Sequence, residues 1–354
     1  MPTAADIDEK MMSRALAEAS RGRPSPNPHV GAVIAKGDNV VAVGHHERAG
    51  SEHAEVAAIR AAGDSAKDST LYVTLEPCNH QGRTPPCVDV ILQSGISRVV
   101  IGCRDPNPNV DGGGVDVLQV AGLDVEIGVK AAEAQALIQP WVKHVTTGLP
   151  YVSLKLAVSL DGRIATRTGV SKWVAVMVGV GTVLADDPEL TVREVEGPNP
   201  IRIAIDSKLR IPTTTELVTT ASQIPTWVMT TQEAPEALES ALVSQGVEVV
   251  RVPRSSEGRV DVTSALRALA QRGIIRVLIE GGAELAGSVL NARLADELHV
   301  FIGPMLLGPR GRPGAVDWAG PTNPAEAPRI ADPDWEVCGR DAYVHGAVAY
   351  PAPK

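Results

Sequence analysis

Ser51-Glu52-His53-Ala54-Glu55 and Thr74-Leu75-Glu76-Pro77-Cys78, the second running on to Pro86-Cys87, are the stretches on which the reading of this chain turns. Together they offer one imidazole, two thiols and a carboxylate that need not be a ligand. Nitrogen and sulfur donors suit tetrahedral Zn²⁺, and a catalytic zinc site uses three protein ligands and leaves the fourth position to water. His53, Cys78 and Cys87 are therefore the predicted metal ligands. The metal lowers the pKa of such a water from about 15.7 toward roughly 7. Glu55, two residues after His53, is then placed to take up its proton and hand it to a leaving nitrogen.

His-x-Glu followed by Pro-Cys, with the Glu as acid and base rather than ligand, is the pattern of the zinc deaminases. Other readings stay open at this point. Two cysteines can be small buried hydrophobes. A closed structural zinc site would need a fourth ligand, for which His80 is the best placed, and would make the chain a zinc-stabilised binding module without catalysis. Against that module stands Glu55, a carboxylate with no use in a structural site. The general deaminase pattern has Cys-x-x-Cys, whereas Asn79 to Pro86 separate Cys78 from Cys87 here. Gly82 and Pro85-Pro86 let that loop close and start a helix at Cys87. A thiol at a helix N-terminus is expected to have a lowered pKa, and the same dipole is expected to keep Glu55 ionised in the first turn of a helix over His53 to Ala62.

The run Glu76-Pro77-Cys78-Asn79-His80-Gln81-Gly82-Arg83-Thr84-Pro85-Pro86-Cys87 strongly resembles the deaminase half of the bifunctional riboflavin biosynthesis proteins. That family joins a diaminohydroxyphosphoribosylaminopyrimidine deaminase to a 5-amino-6-(5-phosphoribosylamino)uracil reductase, and the resemblance covers nearly the whole chain. It implies an α/β protein with a cytidine-deaminase-like three-layer α/β/α domain over residues 1–145 and a dihydrofolate-reductase-like α/β domain over residues 146–354. It implies Zn²⁺ and NADPH as cofactors, a phosphorylated pyrimidine as the small-molecule substrate, and a homo-oligomer formed through the reductase domain.

Bulk properties agree with two ordinary soluble domains. The chain has 354 residues, each half long enough to bury its own core. With one Phe, the core must be mainly Val, Leu, Ile and Ala. A net charge of −9 argues against a general nucleic-acid binder, an editing deaminase included. No run reaches the roughly 18 apolar residues of a membrane span, and the N-terminus lacks the basic start and apolar run of a signal peptide. Four cysteines do not make a disulfide framework, so the cytoplasm is the expected compartment.

In chain order, a helix is predicted from Asp6 to Gly22, with Met11, Ala15, Leu16 and Ala19 at helical spacing. A hairpin follows from Val30-Ala35 and Val40-Val43, then the helix after His53 with Val56 and Ile59 on its buried side. Strands are predicted at 70–75, 98–102 and 125–129, and helices at 88–93, 115–120 and 131–138. Cys103 reads as a core thiol. Lys143 to Pro150 reads as the linker.

In the second half, strands are predicted at 151–158, 175–178, 201–205, 227–229, 247–252 and 277–279, with a helix at 262–272. Glu280-Gly281-Gly282-Ala283 reads as a strand–Gly-Gly–helix junction whose N–H groups and dipole suit a pyrophosphate. By resemblance, Asn27 and His46 contact the pyrimidine, and the Arg104-Asp105-Pro106-Asn107-Pro108 and Gly112-Gly113-Gly114 loop lies around the ribose phosphate. By the same resemblance Ala157, Trp173, Thr182, Asp186, Ser207 and Gly282 contact NADPH, while Ser171, Leu190, Arg193 and Glu280 contact the reductase substrate. One departure stands out. Only Val174 separates Trp173 from Ala175, where the family carries a polar helix with a substrate-contacting arginine. That shortening sets the substrate side of the reductase, and its local fold, in question, and leaves an active deaminase with an impaired reductase as the alternative.

Overall fold

The computed structural model describes residues 2–80, 85–107, 113–162, 174–193, 197–308 and 314–352. The chain divides into two compact units, residues 1–148 and 149–354.

The first unit runs α1 (Ala4–Ala19), β1 (Gly31–Lys36), β2 (Asn39–His45), α2 (Ala54–Ala62), β3 (Thr70–Leu75), α3 (Cys87–Gln93), β4 (Arg98–Cys103), α4 (Gly114–Val120), β5 (Asp124–Ile127) and α5 (Ala131–Thr147). Its sheet has the order β2-β1-β3-β4-β5, with β1 antiparallel to both neighbours and β3, β4 and β5 parallel. Alternation along the strands sorts the core onto two faces. Ala32, Ile34, Leu71, Val73, Val99 and Ile101 pack with Ala54 and Ala58 of α2, Val88 and Ile91 of α3, and Val115 and Leu118 of α4. The intervening Val33, Ala35, Tyr72 and Val100 pack with Met11, Met12 and Ala15 of α1.

Several local expectations need correction. The first helix starts earlier than Asp6, because Thr3 and Asp6 form a reciprocal capping box. The fully buried positions of α2 are Ala54, Glu55 and Ala58; Ile59 packs on the core as expected, while Val56 is only half-buried. The reason is a close helix–strand approach: a Cβ on Gly44 of β2 would lie 2.4 Å from the Ala54 carbonyl oxygen. Only small side chains fit that seam. Lys143 to Thr147, read as linker, are the last turns of α5, which ends at Gly148 in the left-handed region (φ 68°).

The second unit runs β6 (Tyr151–Ser159), β7 (Ala175–Gly179), α6 (Val180–Asp186), β8 (Ile201–Ile205), α7 (Glu216–Thr219), β9 (Thr226–Thr231), α8 (Glu236–Val243), β10 (Glu248–Val252), α9 (Val262–Gln271), β11 (Arg276–Glu280) and α10 (Ala283–Asn291). It closes with β12 (Glu297–Gly303), β13 (Arg329–Ile330), β14 (Asp334–Cys338) and β15 (Asp341–Ala349). Seven strands are parallel in the order β10-β9-β8-β7-β11-β6-β12. From β7 the chain winds outward through β8, β9 and β10, then returns so that β11 enters between β7 and β6. In sheets of this kind ligands bind beyond the strand C-termini, where the winding changes direction. Here that crevice lies at the ends of β7, β11 and β6.

The antiparallel extension β13, β14 and β15 has no counterpart among the predicted strands. All five residues of β14 are exposed, although Trp335 and Val337 alternate with Asp334 and Glu336 along it. The shortening after Trp173 leaves the following strand intact: β7 is apolar throughout and pairs with both β8 and β11. Residues 163–173, on the other side of the shortening, lie outside the described residues.

Candidate active sites

Three chain segments converge beyond the C-terminal end of β3, the central strand of the first sheet. His53 is the N-cap of α2 and Glu55 lies in that helix's first turn. Cys78 follows the end of β3, and Cys87 is the first residue of α3. His53 Nδ1 lies 3.2 Å from Cys87 Sγ and 3.5 Å from Cys78 Sγ. Zn–S bonds of about 2.3 Å and Zn–N bonds of about 2.0–2.1 Å give tetrahedral N···S edges of about 3.6 Å, so this triangle matches the donor set of a tetrahedral zinc ion. Among the described residues the group comprises these three side chains, with the ligand atoms all within 4.8 Å of one another.

The electrostatics differ from expectation in two places. The lowered thiol is Cys78, brought to about 4 by the hydrogen bond from Cys87, against burial, with His53 helping. The first backbone N–H of α3 donates to Cys78 Sγ (3.4 Å), so the helix N-terminus favours the anion on the neighbouring sulfur. Cys87 itself is pushed up by the adjacent Cys78 sulfur and by burial. Glu55, 3% exposed, is raised by burial, which outweighs the helix dipole and the attraction of His53. His53 is raised by its hydrogen bond to Cys78 against the opposing effect of burial.

Asn27 and His46 are brought to the same place. Asn27 Nδ2 donates to His46 Nε2 (3.0 Å), and His46 Nδ1 in turn donates to the Glu52 carbonyl (2.9 Å). The His46 and His53 rings meet edge to face at 5.3 Å. Burial and the neighbouring imidazoles lower the pKa of His46, leaving it neutral beside the metal triangle. Cys103 is a buried thiol near the Thr74 carbonyl, raised by burial to about 11.

In the second unit the crevice holds part of the predicted set. Gly281 and Gly282 take positive φ (65° and 81°) between β11 and α10. A Cβ on either would lie 3.3–3.4 Å from Thr182 Oγ1, which brings the α6 threonine onto the junction. Glu280 ends β11 and accepts a 2.9 Å ion pair from Lys155 of β6, two residues before Ala157 on the same strand face. Asp186 is exposed at the end of α6. Leu190 packs on the adjoining core with φ 51°, and the exposed Arg193 lies 3.8 Å from Glu189. Ser207 Oγ accepts from Val260 N–H (2.9 Å), so that hydroxyl is engaged in holding a loop. Ser171 and Trp173 lie outside the described residues.

Lys155 and Glu76 were not singled out from the sequence. Lys155 is the one charge in the apolar run Tyr151–Ser159, a signal that could have marked it, since a charge in a buried strand needs a partner. Glu76 is buried beside the metal triangle, with hydrogen bonds to residues distant in sequence.

The cytidine and deoxycytidylate deaminase zinc-binding region matches residues 5–103, and the RibD C-terminal domain matches residues 150–344. The chain is 40% identical over 370 residues to the riboflavin biosynthesis protein RibD of Escherichia coli (strain K12), covering 96% of this chain and 98% of that one. The chain belongs to the RibD family. Another member, from Bacillus amyloliquefaciens, is 39% identical over 92% of both chains. Two solved structures share its fold over nearly the full length. They are Acinetobacter baumannii RibD (34% identity, TM-score 0.83, 98% of this chain and 100% of that one) and a deaminase/reductase from Thermotoga maritima (34%, 0.82, 99% and 100%). As a RibD protein the chain is a bifunctional deaminase and reductase of riboflavin biosynthesis, with zinc and NADPH as cofactors. Among the described residues no helix is long and apolar enough to cross a membrane.

Proposed function

We propose that the first unit deaminates 2,5-diamino-6-(5-phosphoribosylamino)pyrimidin-4-one, and that the second reduces the ribose chain of the resulting 5-amino-6-(5-phosphoribosylamino)uracil to ribityl. The observation that carries the deaminase assignment is the His53–Cys78–Cys87 triangle with the buried carboxylate of Glu55 beside it. His53, Cys78 and Cys87 would hold the zinc, which when bound would make a water acidic enough to attack at neutral pH. Glu55 takes the proton of that water and delivers it to the exocyclic nitrogen, which leaves as ammonia. Asn27 and His46 orient the pyrimidine, His46 as a neutral imidazole whose Nδ1 proton is fixed by the Glu52 carbonyl.

In the second unit Thr182 and the Gly281–Gly282 turn receive the NADPH phosphates at the N-terminus of α10. Ala157, Trp173, Asp186 and Ser207 complete the cofactor site, while Ser171, Leu190, Arg193 and Glu280 hold the substrate. The reading also makes the enzyme a cytoplasmic homo-oligomer joined through the second unit. In support of that joint, β14 exposes Trp335 (62%) and Val337 (85%) on one face of a strand that, among the described residues, pairs only with β15. Sedimentation of a Trp335→Glu variant tests it: unchanged mass against the wild type would remove that surface from the interface.

The function itself is tested by supplying the pyrimidine with NADPH and following ammonia and NADPH separately. One ammonia should appear per NADPH consumed at completion. NADPH loss without ammonia, or ammonia from cytidine in preference to the phosphoribosyl pyrimidine, would contradict it.

A further inference from the structure

Glu76 stands two residues before Cys78, where β3 ends, and its side chain is turned inward, 9% exposed. Its backbone N–H continues the β3–β4 pairing by donating to the Cys103 carbonyl (2.9 Å). The carboxylate is shared between two chain segments. Oε2 accepts from Asp105 N–H (3.1 Å) and Oε1 from Val115 N–H (3.0 Å), in the first turn of α4. Asp105 extends the chain of bonds, since its Oδ1 accepts from Asn107 N–H (2.8 Å). Both ends of the Arg104-to-Gly114 loop are thus tied, through one side chain, to the strand end that carries a zinc ligand. The approach is close: a Cβ on Gly114 would lie 1.9 Å from the Pro77 carbonyl oxygen. The two N–H groups are met by the two separate oxygens of the carboxylate, whereas an amide here would turn its NH₂ toward one of them.

We propose that Glu76 is a positioning residue for deamination, which fixes the 104–107 segment and the start of α4 relative to the metal triangle and so sets where the phosphoribosyl arm of the substrate is held. This rests on the reading that the loop contacts that arm. The Glu76 carboxylate is taken up by backbone N–H groups and is not part of the His53–Cys78–Cys87 group. Its loss should therefore appear in substrate binding while the zinc and the proton transfer by Glu55 remain.

The test compares full-length Glu76→Gln, Glu76→Asp and Asn107→Ala proteins with the wild type by zinc content and by KM and kcat for ammonia release. Glu76→Gln leaves one N–H without an acceptor. Glu76→Asp keeps the charge but is one methylene too short to reach both donors, and it serves if the Gln variant does not fold. For either, zinc should stay at one per chain, KM should rise about tenfold, on the scale of one hydrogen bond to a charged group, and kcat should stay within about threefold. Asn107→Ala should raise KM as well. Loss of zinc with Glu76→Gln, or wild-type KM in both Glu76 variants while Asn107→Ala raises it, would overturn the positioning role alone. An unchanged KM in Asn107→Ala would overturn the loop assignment and the inference with it.

Discussion

Replacing Glu55 by Gln separates metal binding from chemistry more cleanly than any other single change. The side chain is 3% exposed, in the first turn of α2, two residues from His53 and in contact with Cys87. The amide has nearly the same volume, so the Ala54–Ala58 seam against β2 is not disturbed. Burial already raises the carboxyl, so a neutral group at that position is no burden on the fold. What disappears is the ability to take and return a proton. General acid–base groups contribute roughly 10²- to 10⁴-fold, or about 2.7–5.4 kcal/mol of barrier at about 1.36 kcal/mol per tenfold. Ammonia release by Glu55→Gln should fall by that factor in kcat, with zinc at one per chain by elemental analysis. NADPH-dependent reduction of supplied 5-amino-6-(5-phosphoribosylamino)uracil should be unchanged, since that reaction belongs to the other unit. Loss of zinc from the variant would make Glu55 a ligand, and wild-type turnover would remove it from the reaction.

Cys78→Ser and Cys87→Ser should each lose zinc and deamination together; full activity in a metal-free preparation would contradict this. Reduction should be slower than deamination in one preparation, because the shortened stretch after Trp173 removes a charged substrate contact worth about 1.5–3 kcal/mol, roughly 10- to 150-fold in rate. Inserting a family-type polar helix between Val174 and Ala175 should raise reduction and leave ammonia release unchanged; equal rates of the two reactions in the native chain would show the segment dispensable. Asp8 is buried and would be raised by that burial, but two hydrogen bonds from Arg98 (2.8 and 2.9 Å) and one from Tyr72 (2.8 Å) bring it below 3.8. A depressed carboxyl stabilises the fold above its unfolded pKa and loses that contribution as pH falls through the folded value. Asp8→Asn should therefore destabilise the first unit by about 1.5–3 kcal/mol near neutral pH, with the difference from wild type shrinking below about pH 4. Urea unfolding at the two pH values checks this, and a constant difference would refute it.

How much was legible depended on whether a signal was local. The runs Thr70–Leu75 and Ile201–Ile205 are rich in β-branched residues, the second with Arg202 as its one charge, and their limits coincide with β3 and β8. The metal triangle was legible because each ligand sits at an element boundary that the sequence marks: a strand end before Pro77-Cys78 and a helix start after Pro85-Pro86. Partnerships set by packing were hidden. The face of α2 is decided by Gly44 on another element, which draws Ala54 and Ala58 against β2, so Ile59 reaches the core but Val56 stays half-buried. Cys87 was identifiable as a helix start, but not that its N–H aims at Cys78. Glu76 finds its partners at Asp105 and Val115, and Lys155 finds Glu280, separations that no periodicity records. For β14 the signal was present but slight: Trp335 and Val337 alternate with Asp334 and Glu336 over a five-residue strand whose residues are all exposed.

The claim at the centre of this account is an open zinc site, with three protein ligands and a carboxylate held back for proton transfer. Zinc K-edge absorption of the purified full-length protein tests it directly. The predicted shell has two sulfurs at about 2.3 Å and two light ligands at about 2.0–2.2 Å, one light ligand being the His53 imidazole and the other exchanging with solvent. A shell of two sulfurs with two imidazoles would mean a closed structural site with a second histidine bound, and would contradict the catalytic reading.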